Sequence, residues 1–276
     1  MISGFFIHSD LELGGCMRLA LAVEYDGGAF CGWQTQPNGM AVQDALEQAI
    51  SVIAGHTVNT VAAGRTDTGV HALHQIVHFD TEVERPLDAW VRGVNAHLSP
   101  AVRVIWSGVV DDRFHARFDA RARHYQYLLY NNPAAPAILA GKAGWFHTPL
   151  NEMWMQQAAD ALLGEHDFSA FRAAECQAKT PVRTLFRADV VRQGAYILFS
   201  FSGNAFLHHQ VRNMVGALVY IGKGKYPASY MAELLAMQDR TKAPPTFMAD
   251  GLYLVGVDYD AHWGISSLQR ALQVLP

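Results

Sequence analysis

The segment Gly64-Arg65-Thr66-Asp67-Thr68-Gly69-Val70-His71 carries the densest grouping of reactive side chains in the sequence. Glycines near both ends let the backbone turn sharply. An arginine two residues before an aspartate keeps a cation near a carboxylate that is otherwise costly to hold in a dry pocket, and such a carboxylate stays ionised. The plainer alternative is an aspartate that caps the turn. Asp67-Thr68-Gly69 also matches the D-T-G of aspartic proteases, whose chemistry needs two carboxylates sharing one proton. Only one D-T-G occurs, and the cation of Arg65 opposes proton sharing, so the protease is disfavoured.

With 13 histidines in the chain, metal ligation is a second candidate chemistry. His71 is expected in the loop, with His74 and His78 on the strand that follows, and no Glu or Cys stands at a familiar zinc spacing. His208 and His209 are expected to open a helix in solvated or hydrogen-bonded core roles. No metal is expected. The segment RFHARFDARARHYQYLLY carries Arg113, Arg117, Arg121 and Arg123. On the strand at its end, Arg123, Tyr125, Tyr127 and Leu129 share one face by period two, setting cations beside aromatic rings, which suits phosphates and bases. The plainer alternative is a strand with core tyrosines and solvated arginines. Lys179, Arg183, Arg187 and Arg192 form a second basic run. Arg212 stands near the start of an apolar helix, where it needs a carboxylate, and Asp67 is its candidate partner.

The elements that must position these groups follow from periodicity. Arg18 to Tyr25 reads as a buried strand and Ala41 to Gly55 as a helix with Val42, Leu46, Ile50 and Ile53 on one face. Strands Thr57 to Ala63 and Gln75 to Phe79 flank the Asp67 loop. A helix over Leu87 to Leu98 and a strand over Val102 to Val110 complete the first half. The second half repeats the order: strand Arg121 to Tyr130, helix Asn151 to Leu163, strands Thr184 to Val191 and Tyr196 to Phe201, helix Phe206 to Ile221 and strand Leu252 to Tyr259. An extra helix, Ser229 to Met237, precedes the last strand. The expectation is an α+β fold: two tandem ferredoxin-like or RRM-like β-α-β-β-α-β halves joined into one mixed, mainly antiparallel sheet with flanking helices. Residues 1–16 read as an extension, 17–112 as the half carrying the Asp67 loop, 113–262 as the second half and 263–276 as a tail. The loops NNPAAPAILAGKAG and GEHDFSAFRAAECQAKTP are long enough to act as lids or binding loops.

Of the 276 residues, 50% are hydrophobic and 17% charged, which argues against disorder and coiled coil. No apolar run reaches the length of a spanning helix, so no membrane is expected. The three cysteines, Cys16, Cys31 and Cys176, form no C-x-x-C pair, which fits a reducing, cytoplasmic setting better than a disulfide framework. A net charge of −4 argues against a uniformly cationic nucleic-acid binder and leaves local charge to decide. A non-enzymatic RNA-binding protein built from two RRM-like halves would explain Arg123 and Tyr125. It lacks an RNP-type segment, however, and has no use for Asp67.

Several segments together resemble the tRNA pseudouridine synthase A group. They are EYDG at Glu24 to Gly27, GWQ at Gly32 to Gln34, GRTDTGVH around Asp67, HARFDARARHYQYLLYN ending at Asn131, GEHDFSAF at Gly164 to Phe171, FLHHQVRNMVG at Phe206 to Gly216 and DGLYLVGVDY ending at Tyr259. They run in family order over nearly the whole chain. Thr68 departs from the pattern, where the family more often has alanine; so small a neighbour is expected to leave Asp67 unchanged while altering local hydrogen bonding. The resemblance implies a cofactor-independent isomerase that converts uridine to pseudouridine at positions 38 to 40 of the tRNA anticodon arm, acting as a homodimer. It implies that Asp67 is the nucleophile, leaving open whether base or ribose is attacked first. It further implies that Tyr125 stacks on the base and Arg212 pairs with the catalytic carboxylate. Arg65 would displace and replace the flipped base, and Leu252 would give an apolar contact at the pocket.

Overall fold

In the computed structural model, which describes residues 15–37, 39–265 and 270–272, the apolar run Met17–Tyr25 forms strand β1. Leu19 to Val23 have no exposed surface on either face, as expected of a strand inside a sheet. Helix α1 (Val42–Ala54) buries Val42, Leu46, Ala49, Ile50 and Ala54, and Asp44 accepts the N–H of Ala41 at its start. Strands β2 (Val61–Ala62) and β3 (His71–Thr81) follow, then helix α2 (Leu87–His97) and strand β4 (Val102–Val110). Trp90 of α2 meets Phe79 of β3 edge to face at 5.4 Å, both fully buried, and such a side chain contributes about 1.5–3 kcal/mol.

The second half comprises β5 (Ala122–Asn131), β6 (Gly144–Phe146), α3 (Glu152–Asp160), β7 (Gly164–Asp167), β8 (Val182–Gln193), β9 (Tyr196–Gly203), α4 (Gln210–Gly222), α5 (Tyr230–Met237) and β10 (Leu252–Asp258). One sheet runs in the order β4-β1-β3-β10-β5-β9-β8-β7, with β2 added to β3 and β6 to β5. All pairings are antiparallel except β10 with β3 and β5 with β6. The architecture is therefore α+β, with the same strand arrangement repeated on either side of the β3–β10 seam.

Local competition explains where the elements differ from expectation. The strand expected over residues 57–63 shortens to Val61–Ala62. The N–H and hydroxyl of Thr60 donate to Glu47, and the N–H of Val58 donates to Ser51 Oγ, so these donors serve α1 rather than a ladder. β2 pairs only with Val77 and His78, leaving the His71–Ala72 end of β3 free for Tyr253 and Leu254 of β10. His71 is thus a strand residue, not a loop residue. Its ring stacks on Tyr253 at 4.6 Å, Nδ1 accepts from Gly27 N–H, and Nε2 reaches the carbonyls of Gly141 and Asp250. Burial lowers its pKa, so it spans the seam as a neutral imidazole.

α4 begins at Gln210 rather than Phe206, because His209 adopts φ 62, a left-handed conformation that stops the helix from extending backwards. Leu207 therefore lies in the preceding turn, still buried, with its N–H donated to Gln210 Oε1. β6 and β7 arise within or beside the two long loops. Too short and mixed to show a period, they form by pairing with β5 and β8. Most of the extension 1–16 and part of the tail 263–276 lie outside the described residues. No helix of the described residues is long and apolar enough to cross a membrane.

Candidate active site

The Asp67 loop is clamped from three sides. Gln75, fully buried on β3, donates from Nε2 to Gly64 O at 2.8 Å, and Tyr25 at the end of β1 bonds Thr66 Oγ1 through its hydroxyl at 2.8 Å. Trp33 donates its N–H to Thr66 O at 3.0 Å. Gly32, at φ +86, lies so close that a Cβ there would sit 3.0 Å from Thr66 O, and a Cβ on Gly27 would sit 2.0 Å from Val70 O. Only glycine fits at either position. The EYDG and GWQ segments are thus the walls of the loop, and Val70 N–H closes its turn onto Asp67 O at 3.1 Å.

Across from this loop stands the start of α4. Arg212 Nη1 donates to Asp67 Oδ2 at 3.1 Å, and its Nε donates to Phe247 O at 3.0 Å, so the guanidinium is fixed between a carboxylate and a carbonyl. His208 Nε2 lies 3.2 Å from Asp67 Oδ1 and His209 Nε2 3.4 Å from Oδ2. Burial pulls the His209 imidazole below its ordinary pKa, with the Asp67 charge pulling the other way. The N-terminal end of a helix also favours an anion nearby. Of the two arginines considered from the sequence, the partner of Asp67 is Arg212. Arg65 is exposed and makes no side-chain hydrogen bond among the described residues, while Thr66 beside it turns inward. Arg65 therefore does not hold the carboxylate and is left facing outward on the loop.

Tyr125 of β5 is buried, edge-on to Phe206 at 5.0 Å, with its hydroxyl near Gly64. Burial pushes its phenol up to about 12. Leu252 and Leu254 of β10 stand opposite Tyr127 and Tyr125 in the ladder, so all four side chains share one face. The N–H of Leu252 donates to Ala249 O, and Ala249 packs against Gly69, which ties the start of β10 to the Asp67 loop.

The basic strand departs from expectation. Arg123 is largely buried and donates to the carbonyls of Ala63, Arg117, Ala120 and Asn204, so it braces the loop rather than offering a phosphate contact. In the second basic run, Arg187 pairs with Asp189, Arg192 with Glu152, and Arg183 binds the carbonyls of Thr180 and Val182. Sequence reasoning also missed the role of place for His208 and His209, which face Asp67 rather than solvent or core. No spacing in the sequence points to them, because His209 stands outside α4 at a left-handed φ of 62, where the helical i, i+3 relation does not hold.

A family model described as tRNA pseudouridine synthase matches residues 21–119 and 158–260. tRNA pseudouridine synthase A of Methylobacillus flagellatus is 65% identical over 258 residues, covering 94% of this chain and 99% of its own. The protein of that name from Burkholderia vietnamiensis is 56% identical over 253 residues, covering 92% of this chain and 94% of its own. Among solved structures, a Cbf5-Nop10-Gar1 complex overlays 86% of this chain with a TM-score of 0.36 and 11% identity, and this chain spans about half (48%) of the length of that one. On the extent of the family match and the identity to these relatives, the chain belongs to the tRNA pseudouridine synthase family.

Proposed function

We propose that the protein isomerises uridine to pseudouridine in the anticodon arm of tRNA, at positions 38 to 40, with Asp67 as the nucleophile. The observation that carries this reading is the Asp67 carboxylate, held by Arg212 at 3.1 Å on a loop that glycine-lined walls keep rigid. The reaction conserves atoms. The bond from ribose C1′ to N1 breaks, the base turns, C1′ joins C5, the C5 proton leaves and N1 gains one. Neither water nor a redox partner enters, so no cofactor is invoked.

A base inside a paired stem must first be extruded at a cost of a few kcal/mol. Arg65, exposed on the loop two residues before Asp67, fills the vacated stack in this reading. Tyr125 offers a stacking surface worth about 1–3 kcal/mol per base. With its phenol near 12, it enters as a neutral ring and hydroxyl. Leu252 supplies an apolar contact on the same face. A cytoplasmic homodimer, with one tRNA touching both subunits, and a division into halves at 17–112 and 113–262 belong to the same proposal.

The test is pseudouridine mapping by carbodiimide labelling and primer extension on unmodified tRNA transcripts, with wild-type protein and Asp67→Ala. Stops in the anticodon arm with wild type alone are expected. Tight tRNA binding without stops would replace the synthase by an RNA-binding module.

A further inference from the structure

Asp67, His208 and His209 come from two elements far apart in sequence, yet one donor atom from each lies within 4.8 Å of the other two. We propose that these three residues form a binding site for a zinc-class divalent transition metal, and that filling it switches the enzyme off by capping the nucleophile.

The donor set is the first argument. Two imidazole nitrogens and one carboxylate oxygen, with a fourth position left to solvent, is the set that open zinc sites use. Nitrogen donors select against magnesium and calcium, which take oxygen ligands. Spacing is the second. At bonds of about 2.0–2.2 Å in tetrahedral geometry, ligand atoms sit roughly 3.3 Å apart. His208 Nε2 stands 3.2 Å from Oδ1 and His209 Nε2 3.4 Å from Oδ2, so turning the His209 ring towards Oδ1 closes the site.

Preorganisation is the third. The left-handed backbone at His209 turns its ring towards the loop, its carbonyl accepts Asn213 N–H at 2.9 Å, and the carbonyl of His208 accepts Ala173 N–H at 3.1 Å. Access is open, since the side chains of His208, His209 and Asp67 are 38%, 27% and 18% exposed. Arg212 does not block entry. It bonds Oδ2 and leaves Oδ1 to the metal, and a hydrogen bond on the second oxygen is the outer-shell support that ligating carboxylates ordinarily have.

A metal on Oδ1 removes the electron pair with which Asp67 would attack, so metal and flipped uridine compete. Only this inhibitory consequence rests on the catalytic reading above; the site itself does not.

Metal-free full-length protein is titrated with zinc chloride by calorimetry and with cobalt(II) by absorption, without tRNA, for wild type, His208→Asn and Asp67→Asn. One saturable site is expected in wild type, weakened roughly tenfold or more in each variant, with millimolar magnesium giving no displacement. Circular dichroism confirms that the variants fold; His208 is partly exposed and its replacement leaves no buried gap. With tRNA held far below its half-saturating concentration, pseudouridine formation by wild type is expected to halve at the zinc concentration that half-fills the site and to return with a chelator. Absence of saturable binding overturns the proposal, as does equal affinity in wild type and His208→Asn, or inhibition whose midpoint lies apart from that of binding. Wild-type protein inert on tRNA in chelator would instead defeat the catalytic reading, with the calorimetric comparison still deciding the site.

Discussion

Arg212 reaches Asp67 across 145 positions of sequence and binds its Oδ2 at 3.1 Å, while its Nε holds Phe247 O. The guanidinium is therefore a spacer as well as a counter-charge: its planar fork fixes the carboxylate relative to the 247–252 segment. Lysine keeps the charge but has no second donor in that geometry. Arg212→Lys is expected to lower the single-turnover rate roughly a hundredfold, since a misplacement of about 1 Å costs that much, with little change in thermal midpoint. Tritium release from tRNA labelled at uridine C5 reads the rate. A Lys variant as fast as wild type would reduce the contact to charge alone.

Tyr125 tests stacking against acid–base chemistry. With its phenol near 12, the side chain stays protonated through the ordinary working range, so no break in rate between pH 8 and 10 is expected from it. Tyr125→Phe keeps the ring and should stay within about tenfold of wild type. Tyr125→Ala loses the platform, about 1–3 kcal/mol in base stacking. A pH–rate break present in wild type and absent from Tyr125→Phe would make the phenolate a participant.

The sequence made some of this legible and concealed the rest for definite reasons. Val102–Val110 and the central runs of β1 and β5 stand out because burial fixes their composition directly. Arg212 pointed to Asp67 because an arginine opening an apolar helix needs a carboxylate. β2 was overdrawn because the acceptors that take its donors, Glu47 and Ser51, belong to another element. His208 and His209 were misplaced because their direction depends on one inverted backbone angle, which no pattern of residue types announces. Arg123 looked like a phosphate ligand because its four carbonyl partners are contributed by separate segments.

Gly32 is the sharpest test of the clamp on the loop. An alanine there meets both a left-handed φ of +86 and a Cβ 3.0 Å from Thr66 O. Gly32→Ala should lose about 1–3 kcal/mol in urea unfolding, and activity should fall further than stability because the displaced atoms adjoin Asp67. Gly39→Ala, also at positive φ but with open space around it, is the control for backbone strain alone. Equal activity losses in the two variants would mean that the close contact at Gly32 does not position Asp67.

The buried histidines of β3 set the response to mild acid. Burial, assisted at His74 by the charge of Arg270 and at His78 by that of Arg18, lowers both to about 4 from an ordinary 6.5. Between those values the unfolded chain binds protons that the folded chain refuses, so stability rises with pH and falls as pH drops through 6.5 towards 4. Each histidine should remove about 1 kcal/mol between pH 7 and 5.5. The carboxylates lowered by ion pairs, such as Asp80 beside Arg18, titrate below this window and do not confuse it. His78→Asn keeps an acceptor for Ala116 N–H, which His78 Nδ1 takes at 3.1 Å, and is expected to flatten the dependence by about that 1 kcal/mol in urea unfolding at the two pH values. An unchanged pH dependence in the variant would mean that His78 takes up its proton in the folded protein as readily as in the unfolded chain, against the burial that surrounds it.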